Sequence, residues 1–233
     1  MALPKLNTPK YNLNVPSTGK EIEYRPYLVR EEKILMIAME SEDAKQMSTA
    51  LLRIIEACTE GLDIKNMAMF DVEYIFAKLR AKSVGETSEV SVKCEKCEAD
   101  NKATISLDSV SVTDMPITKI ELTPTTGLIM RFPSMKSYED IESKNTASNV
   151  DKIFSVIISC IESVYDGEEL FDADSHTKAE LGEFIESLNT EQFKKVQAFL
   201  DGMPQAFVML DYNCEECGEH HNSELKGMTN FFA

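Results

Sequence analysis

The sequence predicts an α+β fold in which an N-terminal β-hairpin and helices precede a β-unit that a helical insertion interrupts. Three observations favour this fold. Two Cys-x-x-Cys pairs, Cys94/Cys97 and Cys214/Cys217, each lie between runs in which apolar and polar residues alternate. The long segment between the pairs carries apolar residues at helical spacing. Near the N-terminus, a turn signal separates two further alternating runs.

The first elements are a hairpin and one or two helices. Residues 10–29 are typical of a β-hairpin, because two strand-like runs flank the turn signal Ser17-Thr18-Gly19. Residues 30–58 predict one long helix or two short ones, since polar residues at 41–43 interrupt an apolar pattern of helical spacing.

A third helix is predicted over residues 71–83, with Asp71 as its N-cap. Three of its residues are cations, which either complement the negative end of the helix dipole or form a weak nucleic-acid patch. We favour the first interpretation. The cations are Lys78, Arg80 and Lys82. Period-two alternation then indicates strands over residues 87–112.

The segment between the cysteine pairs is expected to be mainly helical. Two extended pieces meet at a turn over residues 125–127. Residues 148–165 predict a helix that is apolar over a wide face, and therefore central and buried. A capping box, Thr177-x-x-Glu180, starts the next helix, and the last one begins at 189–190.

Four cysteines in two Cys-x-x-Cys hairpin tips predict a closed tetrahedral zinc site, because two intervening residues let one turn present both sulfurs to one ion. Such a site leaves no coordination position for a substrate, so the zinc is structural. A Gly after the second cysteine suits the left-handed turn; Gly218 provides it, whereas Glu98 makes the first knuckle the less regular one. The ligands are Cys94, Cys97, Cys214 and Cys217.

Two other states of the cysteine pairs stay open. The pairs could be reduced hairpins without metal, or a redox dithiol. Redox chemistry favours a lowered thiol pKa, and we expect the surrounding acids to raise it. These acids are Glu95, Glu98, Glu215 and Glu216. Cys58 and Cys160 lie in apolar helical patterns and are interpreted as buried small hydrophobes.

The three histidines and the acidic connector offer weaker candidates. His220 and His221 could replace a cysteine ligand or support the metal from a second layer, although exposed hairpin positions are favoured. His176 is expected in a solvated loop. The run from Glu168 to Asp174 lacks the Gly of a calcium-binding loop, so it is expected to be a solvated acidic loop.

Domain boundaries follow from the position of the cysteine pairs. Residues 1–86 are expected to form the hairpin and helical region. Residues 87–233 are expected to form one compact unit, a zinc-ribbon-like β-unit made of 87–112 and 205–228. Residues 113–204 are its helical insertion. One ion joining the two pairs would close a long loop, which favours insertion over a separate C-terminal domain.

Composition limits the functional classes. The chain has 233 residues and a formal net charge of −16, which repels nucleic acid and anionic lipid and suits a basic protein partner. No apolar stretch long enough for a membrane span and no signal-peptide core are present, so a reducing cytoplasm is expected. No common catalytic motif occurs. We therefore expect no enzyme activity, small-molecule substrate or membrane.

Three segments together resemble the baseplate hub family of contractile-tailed bacteriophages of the T-even type. They are LPKLNTPKYNLNVPSTGKEIEYRPYLVREEKILMIAMES near the N-terminus, SVKCEKCE at the first knuckle and YNCEECGEHH at the second. The resemblance spans nearly the whole chain, and its N-terminal part is the most specific. That family includes a hub subunit and a related hub assembly protein.

The resemblance implies a structural or assembly protein of the tail baseplate hub that acts through contacts with other hub and tail proteins, without catalysis. It implies a location in the host cytoplasm during assembly, or in the virion baseplate. Phe231 and Phe232 near the C-terminus could be frayed, or could dock on the core or on a partner. The alternative function is a zinc-ribbon nucleic-acid-binding or transcription accessory protein.

Overall fold

The computed structural model describes residues 7–41, 43–143 and 148–227. Within these ranges the fold is mixed, with seven α-helices and eleven β-strands in several small sheets. In chain order the elements are β1 (Tyr11–Asn14), β2 (Glu21–Tyr24), α1 (Val29–Glu40), α2 (Ala44–Cys58), α3 (Met69–Ser83), β3 (Thr87–Lys93), β4 (Asp100–Ser106), β5 (Ser111–Val112), β6 (Lys119–Glu121), β7 (Thr126–Met130), α4 (Met135–Glu142), α5 (Asn149–Cys160), β8 (Ile161–Asp166), β9 (Glu169–Asp172), α6 (Lys178–Glu186), α7 (Thr190–Asp201), β10 (Ala206–Asn213) and β11 (His220–Lys226).

Contacts divide the chain into two compact units. Among the described residues, the first unit contains the chain up to Ile64, the segment Phe70–Thr113 and the chain from Gln205 onward. The second contains Lys65–Met69 and Asp114–Pro204. The domain boundaries expected from the sequence stay a prediction, because compactness does not measure which segments fold independently.

The N-terminal hairpin of the first unit forms as the sequence predicts. Strand β1 pairs antiparallel with β2 and places Leu13 opposite Ile22; both side chains are buried. In the turn, Gly19 has a φ of 66°, a left-handed conformation that glycine adopts without a steric penalty.

The polar residues at 41–43 separate two helices, so the two-helix form of the prediction is confirmed. Helix α2 begins after Asp43, whose carboxylate accepts hydrogen bonds from the backbone N–H groups of Lys45 and Gln46. Such a cap satisfies donors that have no partner inside the helix.

The predicted N-cap role of Asp71 is wrong. Helix α3 already begins at Met69, and the buried side chain of Phe70 extends its apolar stripe toward the N-terminus. The carboxylate of Asp71 is 1% exposed and accepts a hydrogen bond of 3.0 Å from the backbone N–H of Ser17. Burial raises the pKa of Asp71, and the bonds from Ser17 partly oppose this. Asp71 therefore ties the hairpin turn to α3.

The two cysteine hairpins of the first unit pack over one apolar cluster. Strands β3 and β4 form one antiparallel sheet, and β10 lies between β11 and β5 in another. The two hairpins therefore belong to separate sheets, and side chains, not a shared ladder, join them. The cluster consists of Ala77, Ala81, Val90, Ala103, Ile105, Leu107, Val110, Ala206, Val208 and Leu210.

The second unit is built on the antiparallel sheet β6-β7-β8-β9. Side chains from this sheet and from α5, α6 and α7 form its core. The predicted caps of the last two helices are confirmed: Thr177 and Glu180 form a reciprocal capping box, and Asn189 caps α7. The fully buried core residues are Leu128, Ile157, Cys160, Ile161 and Val196.

The predicted helix over residues 148–165 is wrong in two respects. Helix α5 ends at Cys160, and the chain continues directly into β8, whose β-branched residues Ile161 and Val164 pack in the core of the second unit. The helix is also buried on one side only, since Val150 is 61% and Ile153 is 52% exposed. Part of the wide apolar face of α5 therefore packs in the core, and the rest of it is exposed.

Gly127 does not lie in a turn as predicted. It lies inside β7, where it pairs with Glu121 of β6 and Tyr165 of β8. A Cβ at this position would overlap the carbonyl oxygen of Ile120 and the phenol ring of Tyr165. The absence of a side chain at Gly127 therefore allows the Tyr165 ring to lie against the backbone of β7, which is a common use of glycine within a strand.

We predict that Gly127→Ala lowers the free energy of unfolding by about 1–3 kcal/mol, because an overpacked site forces the backbone and neighbouring side chains to move. Gly182→Ala in α6 is the matched control. Its added Cβ meets only Cδ1 of Ile158, at 3.6 Å, and alanine favours the helix by up to about 1 kcal/mol. Urea unfolding followed by circular dichroism measures both variants. Unchanged stability of Gly127→Ala would contradict the prediction.

Candidate metal centre

The two cysteine knuckles share one backbone geometry. In the first, the N–H of Cys94 donates to the carbonyl of Ala99, and the N–H of Glu98 donates to the carbonyl of Cys94, both at 2.9 Å. The second knuckle repeats these bonds at the equivalent positions, at 2.8 and 2.9 Å. Each tight turn presents two cysteine sulfurs, and the two pairs of sulfurs lie close together.

The four sulfurs lie at the spacing of a tetrahedral metal site. Cys94 Sγ is 3.7 Å from Cys217 Sγ, and Cys97 Sγ is 3.6 Å from Cys214 Sγ. All four atoms lie within 4.8 Å of one another. Ligands about 2.3 Å from a central ion stand about 3.8 Å apart in a tetrahedron, whereas a disulfide bond is about 2.0 Å long. The sulfurs therefore fit a shared ion and form no disulfide.

Backbone N–H groups surround the inner thiol of the first knuckle. Burial raises the pKa of Cys94, but hydrogen bonds from the N–H groups of Cys97 and Lys96 and a contact with His221 outweigh it and lower this pKa to about 6. The expectation of a raised thiol pKa is thus wrong for Cys94, because hydrogen bonds to the sulfur stabilise its thiolate form.

The inner thiol of the second knuckle, Cys214, behaves like Cys94, and the outer thiol of each knuckle shows the opposite pKa shift. A hydrogen bond from the N–H of Cys217 lowers the pKa of Cys214 despite burial. For Cys97, a bond from the Ala99 N–H lowers the pKa, but burial and the three neighbouring thiols outweigh it and raise the pKa to about 12. If all four sulfurs were ionised, they would need a cation between them, as a metal ion would provide.

His221 supports the cluster from the side. Its Nε2 is 3.1 Å from Cys94 Sγ, and its ring stacks on Tyr212 with centroids 4.9 Å apart. The sequence left a second-layer role and an exposed role open for the two histidines. The favoured exposed position is confirmed for His220, which pairs with Asp211 at 3.0 Å, whereas His221 is half-buried beside the cysteine cluster.

Asn101 joins the two knuckles and was missed by the sequence analysis. Its amide donates to the carbonyl of Ala99 and accepts from the backbone N–H of Glu215, both at 2.9 Å. The side chain is 4% exposed. A signal existed, because Asn101 shares the buried phase of β4 with Ala103 and Ile105. A polar residue in that phase indicates a specific hydrogen-bonding role.

Glu98 adopts the conformation that glycine adopts in the second knuckle. Glu98 has a φ of 61°, and Gly218 has a φ of 70°. The first knuckle is therefore as regular in its hydrogen bonds as the second, and its departure is a side chain held in the left-handed region. This region costs an ordinary residue roughly 1–2 kcal/mol.

The remaining sequence candidates lie apart from the cluster. Among the described residues, the four cysteines are the group of metal-ligating side chains that lies close enough to hold an ion. Asp174 instead pairs with Arg131 at 2.8 Å. The buried Cys58 and Cys160 are apolar core residues as predicted, and burial raises their pKa to about 11 and about 12.

The cationic stretch of α3 is engaged in local contacts. The ammonium of Lys78 donates to the carbonyl of Asp108, and Lys82 forms an ion pair of 2.7 Å with Glu86. Phe231 and Phe232 lie outside the described residues. In the part of the chain that the structure describes, no helix has the length and apolarity that crossing a membrane requires.

A four-sulfur cluster that fixes two hairpins is typical of proteins in which a metal ion has a structural role.

Comparison with known proteins then gives the family. The chain belongs to the T4 bacteriophage base plate protein family, whose model matches residues 8–233. It is 26% identical over 227 residues to the baseplate hub assembly protein gp26 of Enterobacteria phage T4, which covers 96% of this chain and 98% of that protein. No solved structure matches the chain. The resemblance recognised from the sequence is confirmed.

We predict that Glu98→Gly raises the free energy of unfolding by about 0.5–1 kcal/mol, since relief of the left-handed strain exceeds the entropy that glycine adds to the unfolded chain. Gly218→Ala is the reciprocal control, because it adds a side chain at the equivalent position of the second knuckle. Space is open around its Cβ, so the expected loss of about 1–2 kcal/mol comes from backbone strain alone. Chemical denaturation measures both. A destabilised Glu98→Gly variant would show that the Glu98 side chain has a favourable role.

Proposed function

We propose that Cys94, Cys97, Cys214 and Cys217 bind one structural zinc ion in a zinc-ribbon-like arrangement of the two hairpins. The sulfur spacing supports a tetrahedral ion, and soft thiolates in a tetrahedron favour zinc among the metals available to a cell. All four positions would be filled by protein sulfur, so the ion would fix the fold and would not activate a substrate or water.

The ion would join segments that are far apart in the chain. The two hairpins share an apolar cluster and a few polar links, including the 2.5 Å ion pair between Lys96 and Glu219. Closure of a long loop costs conformational entropy. A metal that binds only the folded state adds its binding free energy to folding.

We predict that Cys94→Ser and Cys214→Ser each lose the ion and unfold the cysteine hairpins at a lower temperature. Structural zinc contributes on the order of 10 kcal/mol in small zinc-binding peptides, so a large shift is expected. Elemental analysis of the purified protein measures the zinc content, and thermal melting measures the stability. Chelation of the wild-type protein should reproduce the shift.

Cys58→Ala is the matched control for the loss of a cysteine. Cys58 is also buried, at 3% exposure, but lies outside the cluster. This variant should keep its zinc and lose only core packing. Wild-type protein that contains no zinc, or whose melting is insensitive to chelation, would reject the metal proposal.

We further propose that the protein acts in assembly of the baseplate hub through protein contacts and without catalysis. The observation that carries this function is the full-length relationship to a protein named for hub assembly, together with membership of the base plate family. Its partners would be other baseplate hub and tail proteins. Its place of action would be the host cytoplasm during tail assembly, and it could stay in the virion baseplate.

The exposed apolar face of α1 supports a role in protein contacts. Met36 is 58% and Ile37 is 56% exposed, and Val29 is 79% exposed. Contiguous exposed apolar side chains are a common mark of interaction surfaces. The net charge of −16 would accelerate encounter with basic partners.

We predict that Met36→Asp/Ile37→Asp reduces recovery of hub proteins at least tenfold when the chain is co-expressed with the baseplate proteins of its phage and affinity-purified. Two buried carboxylates would be costly in an apolar interface. Val84→Asp is the control, because Val84 is also exposed, at 62%, but lies outside α1. If the wild-type chain recovers no baseplate protein, and phage that lack the chain assemble normal hubs, the proposed function is wrong.

A further inference from the structure

Among the described residues, strand β9 forms an outer edge of the second unit's sheet. It pairs with β8 on one side and is the last strand in the order β6-β7-β8-β9. All four of its residues are exposed. Among them are two large apolar side chains, Leu170 at 64% and Phe171 at 40% exposure. An exposed edge strand can pair with a strand of another chain.

The register of the β8-β9 hairpin shows which backbone groups of β9 point away from β8 and can bond to an added strand. Asp166 pairs with Glu169 across the two-residue turn, and Tyr165 lies opposite Leu170. In an antiparallel hairpin, the pair that closes such a turn exchanges hydrogen bonds, and the next pair does not. The N–H and carbonyl groups of Leu170 therefore point away from β8, as do those of Asp172.

The apolar side chains lie on both faces of this edge. Successive strand residues point to opposite faces, so Leu170 lies beside Tyr165 on one face and Phe171 lies beside Val164 on the other. An added strand would gain outward-facing hydrogen bonds and an apolar neighbour on each face. This combination of main-chain bonds and alternating side-chain contacts is the usual basis of strand addition.

The charge of the residues along this edge indicates the charge that a partner strand would carry. In the chain segment that forms this edge, four carboxylates lie between positions 166 and 172, and residues 153–177 include no Lys or Arg. The four are Asp166, Glu168, Glu169 and Asp172. Two nearby cations of the second unit are engaged locally, since Lys119 lies over the Tyr165 ring and Arg131 pairs with Asp174. A second copy would bring eight carboxylates together along one edge, which charge repulsion opposes. Charges on an edge prevent pairing with like strands, but these would attract a strand that carries Lys or Arg.

We propose that β9 is the docking edge for an extended, basic segment of another baseplate protein, which adds as a fifth strand to the sheet β6-β7-β8-β9. This inference rests on the proposed function in hub assembly and specifies one of its contacts. The segment would carry Lys or Arg beside alternating apolar residues.

The first test uses hydrogen exchange in the full-length chain. The chain is purified alone and in complex with baseplate proteins of its phage, and exchange is followed at the single-residue level. The amide of Leu170 should exchange at least tenfold more slowly in the complex, because an added strand accepts its hydrogen bond. An unchanged Leu170 amide in an otherwise stable complex would overturn the inference while the proposed function stands.

The second test uses substitutions that separate backbone, side chain and charge. Leu170→Pro removes the outward N–H at a position that makes no ladder bond to β8, and Leu170→Ala keeps it. The charge reversal Glu168→Lys/Glu169→Lys tests the acidic edge. Its control, Glu183→Lys/Glu186→Lys on the exposed side of α6, changes the net charge equally. Circular dichroism and melting establish that each variant folds.

The expected result is a loss of partner affinity of at least tenfold for Leu170→Pro and for the edge reversal, with less than threefold for Leu170→Ala and the α6 control. Equal loss in both charge reversals would indicate a general charge effect and overturn the inference. A dimer that Leu170→Pro dissociates would show that a second copy is the occupant, and would also overturn it. Failure of the wild-type chain to bind any baseplate protein would refute the proposed function, and the inference with it.

Discussion

The convergence of four sulfurs from two distant hairpins is the constraint on which the first unit depends. The hairpins share no ladder of backbone hydrogen bonds, so side chains make the direct links between them: an apolar cluster and the four cysteines. Apolar packing is not directional, whereas a tetrahedral site is. The amide of Asn101, which bonds to both knuckles, adds a second directional link that is independent of any ion.

Hydrogen bonds and backbone strain are combined within one small cysteine site whose sulfur spacing fits a metal ion. Bonds from backbone N–H groups favour the thiolate form of Cys94 and Cys214 before any ion arrives, so part of the cost of deprotonation is met by the turn itself. The first knuckle retains Glu98 where the second has Gly218. A strained residue persists only where its surroundings determine the conformation, and a closed turn on a shared cluster provides such surroundings.

The local signals of the sequence predicted local structure well, and the failures came from tertiary context. Turn residues and caps, such as Gly19 and Thr177, lie where the sequence places them because their chemistry acts within a few residues. The Cys-x-x-Cys spacing likewise predicted which sulfurs converge. No local rule could show that Asp71 caps a distant hairpin turn, that Gly127 accommodates Tyr165 or that an apolar run changes from helix to strand at Ile161.

The exposed apolar side chains explain why a protein of this kind would need a source of stability besides its core. A chain that exposes apolar side chains on α1 and β9 withholds that area from its own core, and burial of apolar area is the main source of folding stability. Compensation has to come from elsewhere, and the proposed metal site would provide it without enlarging the core. The acidic charge then keeps these exposed surfaces apart in solution. The same charge makes them selective, because only a basic surface gains from approaching them.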